Sequence, residues 1–158
     1  MTRLAPAIAL SLAVVLAGCG GKAPDHAANT RSQAQQEASV RSGDIVVRAN
    51  AMPTAMLGEA VAKRYGIERD DRRVMLLVGV RRGPDSRETA LPARITATAT
   101  NLLGKQQAVA VREVRSGEFI DYVGVADVIA PDTLRFDIEI APEGAPRMEL
   151  HFNRDFFP

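Results

Sequence analysis

Few side chains in this 158-residue sequence combine type and spacing in a way that could do chemistry, and Cys19 comes first. It is the single cysteine, so the chain can form no internal disulfide. It directly follows Leu16-Ala17-Gly18, with small residues closing an apolar run. A thiol in a segment that is either removed or exposed suits modification rather than core packing. A serine-type hydrolase needs a histidine base inside the folded region, and His151 is the only candidate. No Gly-x-Ser-x-Gly elbow accompanies it, and its place in an alternating stretch predicts an outward, solvated face. A soft Cu(I) ion prefers thioethers, which makes Met52, Met56, Met148 and His151 the metal set to weigh. Met52 and Met56 straddle a predicted helix start, however, and Met148 faces away from His151 on its strand, so core packing is the expected role. Asp121 and Asp127 share a strand face, but at roughly 20 Å they are too far apart for paired glycosidase carboxylates. No glycine-rich loop opens a helix to hold phosphate. Gly79 and Gly124, inside predicted strands, mark bulges or close backbone approach.

The residues ahead of Cys19 explain its setting. Arg3 and the amino terminus give a positive start, and Leu4 to Ala17 continues without a charge. That run of about 14 residues suits a signal h-region, whereas a spanning helix needs about 20. The pattern resembles the signal peptide and lipobox of bacterial lipoproteins. The resemblance implies a diacylglycerol on the Cys19 thiol, cleavage just before Cys19 and acylation of the new amine. One acyl chain anchors only marginally at about 0.8 kcal/mol per buried methylene, so two or three make the anchor durable. Gly20 and Gly21 stand where the resembled enteric lipoproteins carry the aspartate that favours inner-membrane retention. Outer-membrane sorting, facing the periplasm, is the expectation.

Removing residues 1–18 takes away only Arg3, which leaves the basic side chains level with the 19 acidic ones. The signs are interspersed. No basic stripe suggests nucleic acid, and no polybasic run suggests headgroup binding. Tryptophan is absent and tyrosine occurs twice, a poor supply for a carbohydrate-stacking platform. Residues 19–43 are rich in Ala, Gln and Ser, with Val40 their one β-branched apolar side chain. Such a stretch cannot offset its ordering entropy and is expected to be a flexible tether, with His26 solvated within it and the domain floating near the membrane.

Residues 44–158 read as one domain. Asp44–Arg48 is β-branched and begins as a strand; Pro53 breaks it. Thr54 is a good N-cap for a helix over Ala55–Tyr65, with Leu57, Val61 and Tyr65 on one face and Gly66 at its end. Arg69 to Arg73 is a solvated charge cluster. Val74–Val80 is continuously apolar, which predicts a central strand covered on both faces. Arg94–Thr100 alternates, and Gly104-Lys105 turns it into Ala108–Arg112. Phe119–Ile129 is a long strand. Leu134–Ile140 puts apolar residues at every even position, and Met148–Asn153 does the same. The fold class is therefore mainly β: an immunoglobulin-like antiparallel sandwich of about seven strands, with one short helix after the first strand. A partly open barrel is the alternative.

Several segments also resemble, in order and spacing, domain-of-unknown-function family 4426, a family of proteobacterial envelope proteins. They are Ala51-Met52-Pro53-Thr54, Ala60-Val61-Ala62, Tyr65-Gly66-Ile67-Glu68-Arg69, Pro92-Ala93, Ala99 to Gly104, Thr133 to Ile138 and Phe152 to Phe157. The resemblance spans residues 44–157 and implies an exported single-domain protein. With no catalytic set and no cofactor motif, the chain is expected to be a non-catalytic binding module anchored to the membrane through Cys19, with an envelope protein as partner. If the domain has a partner surface, the helix insertion, through Met52, Thr54, Met56, Tyr65 and Arg69, is the first place to look; the expected role of the helix is to plug the open end of the sandwich. The alternatives are a periplasmic copper-handling domain and a hydrolase with an unfamiliar site. Cys19→Ala is expected to abolish incorporation of tritiated palmitate in growing cells; undiminished label on the variant would remove the anchor.

Overall fold

The structure is a computed structural model and describes residues 37–157. The signal segment, Cys19, His26 and most of the tether lie outside the described residues. The strands are β1 (Ala38–Ser42), β2 (Ile45–Pro53), β3 (Arg73–Arg82), β4 (Thr89–Ala90), β5 (Ala93–Thr100), β6 (Gln106–Val109), β7 (Arg112–Ser116), β8 (Phe119–Asp127), β9 (Asp132–Pro142) and β10 (Met148–Phe156). One helix, α1 (Glu59–Tyr65), follows a 3₁₀ turn at Thr54–Met56. All pairings are antiparallel. One sheet runs β1-β2-β3-β8-β7, with β4 extending β3, and the other runs β10-β9-β5-β6. The protein is a mainly β, two-sheet sandwich.

Alternation decides which residues enter the space between the sheets. Leu134, Phe136, Ile138 and Ile140 of β9 are buried there, opposite Val74, Leu76, Val78 and Val80 of β3. Phe136 stacks on Phe152 of β10 at a centroid distance of 5.1 Å. The continuous apolar run of β3 serves two layers. Its other face carries Met75 and Leu77, which pack with Leu57, Ala62 and Val123 under α1.

Four expectations need correction. The stretch read as tether contains a strand, β1, because Ala38 and Val40 cover one edge of the core and residues 38–42 pair with β2. The described residues hold ten strands rather than seven. Ala108–Arg112, read as one strand, is divided: β6 ends one sheet, the chain crosses at Ala110-Val111, and β7 starts the edge of the other. The helix is shorter than predicted. It is capped at Gly58 rather than Thr54, and this start turns Ala62 inward and leaves Val61 exposed. Its end is as expected. Gly66 adopts φ 57°, the Gly66 N–H donates to Lys63 O, and Ile67 N–H reaches Ala62 O, a glycine-terminated Schellman ending.

Gly124 explains why the chain can change sheets where it does. A Cβ there would lie 2.5 Å from Val109 Cγ1 and 3.3 Å from the Ala110 carbonyl oxygen. Valine is stiff about χ1 and the carbonyl belongs to the crossing itself, so neither yields readily. Gly124→Ala is expected to destabilise the domain by about 1–3 kcal/mol, the usual range for overpacking. An unchanged midpoint in urea unfolding would refute the tight crossing.

Candidate functional site

The helix insertion holds the five residues singled out from sequence, and the structure gives them different duties. Thr54 is fully buried. Its hydroxyl donates to Asp70 O and accepts from Asp70 N–H, both at 2.9 Å. Arg69 donates to Ala55 O at 2.8 Å. These bonds pin the chain entering α1 to the chain leaving it, and Thr54 is out of a partner's reach. Met52 is half-buried among Leu57, Met75 and Val123. Met56 projects freely, and Tyr65 is half-buried at the helix end with its hydroxyl turned onto the sheet.

That hydroxyl leads to a polar cleft on the outer face of the β1-to-β7 sheet. Tyr65 Oη donates to Asp121 Oδ2 at 3.0 Å, and Arg81 Nη2 donates to Asp121 Oδ1, also at 3.0 Å. Arg81 Nη1 continues to Ile120 O at 2.7 Å. Strand register sets the floor: Arg48, Gly79 and Asp121 are neighbours in one row across β2, β3 and β8. Gly79, with no side chain, leaves a depression of about 170 Å³ lined by Glu37, Arg48, Asn50, Leu77, Gly79, Arg81 and Asp121.

Arg48, Arg81 and Asp121 of the cleft are already paired. Arg48 makes a two-pronged ion pair with Glu88, at 2.7 and 2.8 Å, in the geometry that gives guanidinium–carboxylate pairs their strength. The Arg48 guanidinium holds the Glu88 carboxyl below its ordinary value. Burial pushes the Tyr65 hydroxyl above its ordinary value, and Asp121 adds to the effect. Arg154 reaches from β10 to Asn50 Oδ1 at 3.2 Å, while its buried Nε has no hydrogen-bond partner. A second, wider depression of about 390 Å³ lies on the other side of α1, between Ile67, Arg73, Arg112 and Val125. There Arg112 donates to the Tyr65 carbonyl.

The remaining chemical candidates are dispersed. His151 is exposed on the outer face of the other sheet, 2.8 Å from Asp137 and 3.5 Å from Glu149. Register places Thr98, Asp137 and His151 in one row, with the carboxylate in the middle. A nucleophile-base pair needs the imidazole in that middle place. Burial works against the charged form of Asp137, but hydrogen bonds from Arg135 and His151 outweigh it and hold the carboxyl below its ordinary value. Met148 lies in the core, so Met52, Met56, Met148 and His151 are divided between the two sheets. Among the described residues no group of three His, Cys, Asp or Glu side chains is placed to hold a metal ion. Sequence reading did not single out Arg48 or Arg81 and weighed Asp121 only against Asp127, since only the register of three strands brings the cleft residues together.

Comparisons with known proteins fit this architecture. Residues 39–158 match the family model described as domain of unknown function DUF4426. A crystal structure of a DUF4426 family protein from Pseudomonas aeruginosa superposes with a TM-score of 0.65 at 26% identity, covering 78% of this chain and 97% of that one. FetP of a uropathogenic Escherichia coli strain superposes with a TM-score of 0.55 at 12% identity, covering 77% of this chain and 95% of that one. A copper-bound variant of FetP gives 0.53 at 11% identity over the same shares. Likeness at that identity concerns the fold. Among curated proteins none matches.

Depressed carboxyls, Glu88 and Asp137 together with the exposed Asp70, set the sign of the acid response. Glu88 and Asp137 favour the folded state while charged, so their contribution is present above the ordinary carboxylate pKa of about 4 and is lost as pH falls through the lower folded values. Glu88→Gln is expected to lower stability near neutral pH by about 1–2 kcal/mol and to flatten part of the acid decline. Urea titrations of both proteins across that range check it; parallel acid profiles would refute the pair's role.

Proposed function

The chain belongs to the DUF4426 family, and from that premise we propose that it is an envelope lipoprotein, held by acyl chains on Cys19, whose domain binds a protein partner and performs no catalysis. The observation that supports this best is the cleft beside α1. Its one floor carboxylate, Asp121, is already engaged by Tyr65 and Arg81, so it is not poised as a base. At about 170 Å³ the cleft is well below the roughly 300–1,000 Å³ that small-molecule sites occupy, and it matches a single polar side chain. Guanidinium, carboxamide and carboxylate groups around one rim suit the mixed polar surface of another protein, with Arg81 as the anchor.

Export is supported by the N-terminal segment, and FetP, which shares the fold, was expressed in the periplasm. Copper handling has the copper-bound FetP variant in its favour as a relative in fold. The separation of Met52, Met56, Met148 and His151 weighs against it.

A photo-crosslinkable residue in place of Glu37, at the exposed rim, tests the reading in living cells. One discrete protein adduct is expected, and Arg81→Ala should reduce its yield by about tenfold while the domain stays folded by circular dichroism. An adduct indifferent to Arg81→Ala, or turnover of a substrate at the cleft, would overturn it.

A further inference from the structure

Large apolar side chains exposed to solvent gather at one end of the sandwich. Leu102 and Leu103 sit on the turn between β5 and β6, Ile129 on the link from β8 to β9, and Phe157 just beyond β10; they are between 73% and 92% exposed. Met56, also exposed, stands at the same end, after β2. The opposite end carries Phe119 alone among the exposed large apolar residues described. Scattered apolar residues need no explanation, but a contiguous exposed group marks a protein or membrane contact.

The turn that carries the leucines is braced. Asn101 Oδ1 accepts from Leu103 N–H at 3.1 Å and from Lys105 N–H at 2.9 Å, and Leu102 N–H donates to Asp132 Oδ1 at 3.2 Å. The β5–β6 turn is thereby tied to the β8–β9 link, and Phe156 pairs with Asp132, which brings Phe157 alongside. Leu102 and Leu103 are therefore held outward instead of folding back onto the domain.

The direction of the first strand says what this end faces. β1 runs from Ala38, opposite Ala49, to Ser42, opposite Ile45, so the preceding chain arrives from the end where β2 finishes at Pro53. That is the end bearing Leu102, Leu103, Ile129 and Phe157. About 18 residues separate Cys19 from Glu37, a contour length of at most about 60 Å. An anchor at Cys19 thus draws the apolar end toward the bilayer and holds it there at high effective concentration.

We propose that this end of the domain inserts Leu102, Leu103, Ile129 and Phe157 into the interfacial layer of the membrane to which Cys19 is attached. The inference rests on the anchored reading above. It makes the domain a second, reversible membrane contact, with the Arg81 cleft directed sideways from the lipid surface. Lys105, Asp127 and Asp132 lie beside Ile129, and the mixed cluster from Arg69 to Arg73 stands at the same end, so the rim carries both signs and the contact does not need anionic lipid.

The absence of tryptophan provides the test. The chain from Cys19 onward is coupled through its only thiol to phosphatidylcholine vesicles bearing a maleimide headgroup, once as Leu103→Trp and once as Phe119→Trp. Attachment is imposed chemically, so the result does not depend on whether cells acylate Cys19, which palmitate labelling decides separately. Leu103→Trp is expected to shift to the blue and to lose about half its emission to brominated acyl chains, while Phe119→Trp keeps an aqueous spectrum. Three results would each overturn the proposal: no change at Leu103→Trp, equal quenching at both positions, or a shift that follows protein density instead of bromine, which would assign this end to a second copy of the chain.

Discussion

The chain changes sheets between β6 and β7 across the bare backbone of Gly124, and much of the domain depends on that crossing. It gives each sheet its last strand. The Gln107 side chain then stitches the two sheets together: its carboxamide nitrogen donates to Asp127 O at 2.8 Å, and its oxygen accepts from Asp127 N–H at 2.9 Å. One side-chain amide thus supplies both bonds that a neighbouring strand would have made, and no backbone group of Asp127 is left wanting a partner. Beyond the crossing, Arg112 at the start of β7 holds the last carbonyl of α1. Tyr65 is thereby engaged at its carbonyl by Arg112 and at its hydroxyl by Asp121.

A second polar link works between the sheets. Tyr122 points from β8 into the sandwich, and its hydroxyl accepts from Ala93 N–H at the start of β5 at 2.6 Å. Burial pushes this hydroxyl above its ordinary value, so it stays neutral through the physiological range. Apolar contact alone fixes the spacing of two sheets but not their sliding. Directional bonds such as this one, and the reach of Arg154 to Asn50 at the other edge, resist sliding.

The strands that bury a regular face were readable in advance. Leu134–Ile140 alternates without a fault because β9 is central in its sheet with one face in the core, and Val74–Val80 is continuously apolar because β3 has the core on one side and α1 on the other. What was missed has physical causes too. β1 is an edge strand with only Ala38 and Val40 turned inward, too little apolar density to stand out from a tether. The change of sheet inside Ala108–Arg112 left the local pattern undisturbed, and its real signature is a glycine in a different strand. The helix start was misplaced because Thr54 has the chemistry of a cap; its hydroxyl is used instead on Asp70, across the insertion. The cleft could not be read at all. Arg48, Arg81 and Asp121 have no fixed spacing, and the decisive position, Gly79, contributes by lacking a side chain.

The pairing of β1 with β2 has a mechanical consequence. Tension transmitted through the chain ahead of Ala38 pulls along the strand axis, from the end where β2 finishes, and not outward from the sheet edge. The ladder from Ala38 opposite Ala49 to Ser42 opposite Ile45 is then loaded in shear, with its hydrogen bonds stretched together instead of peeled apart one by one. A strand of five residues so loaded acts as a buckle.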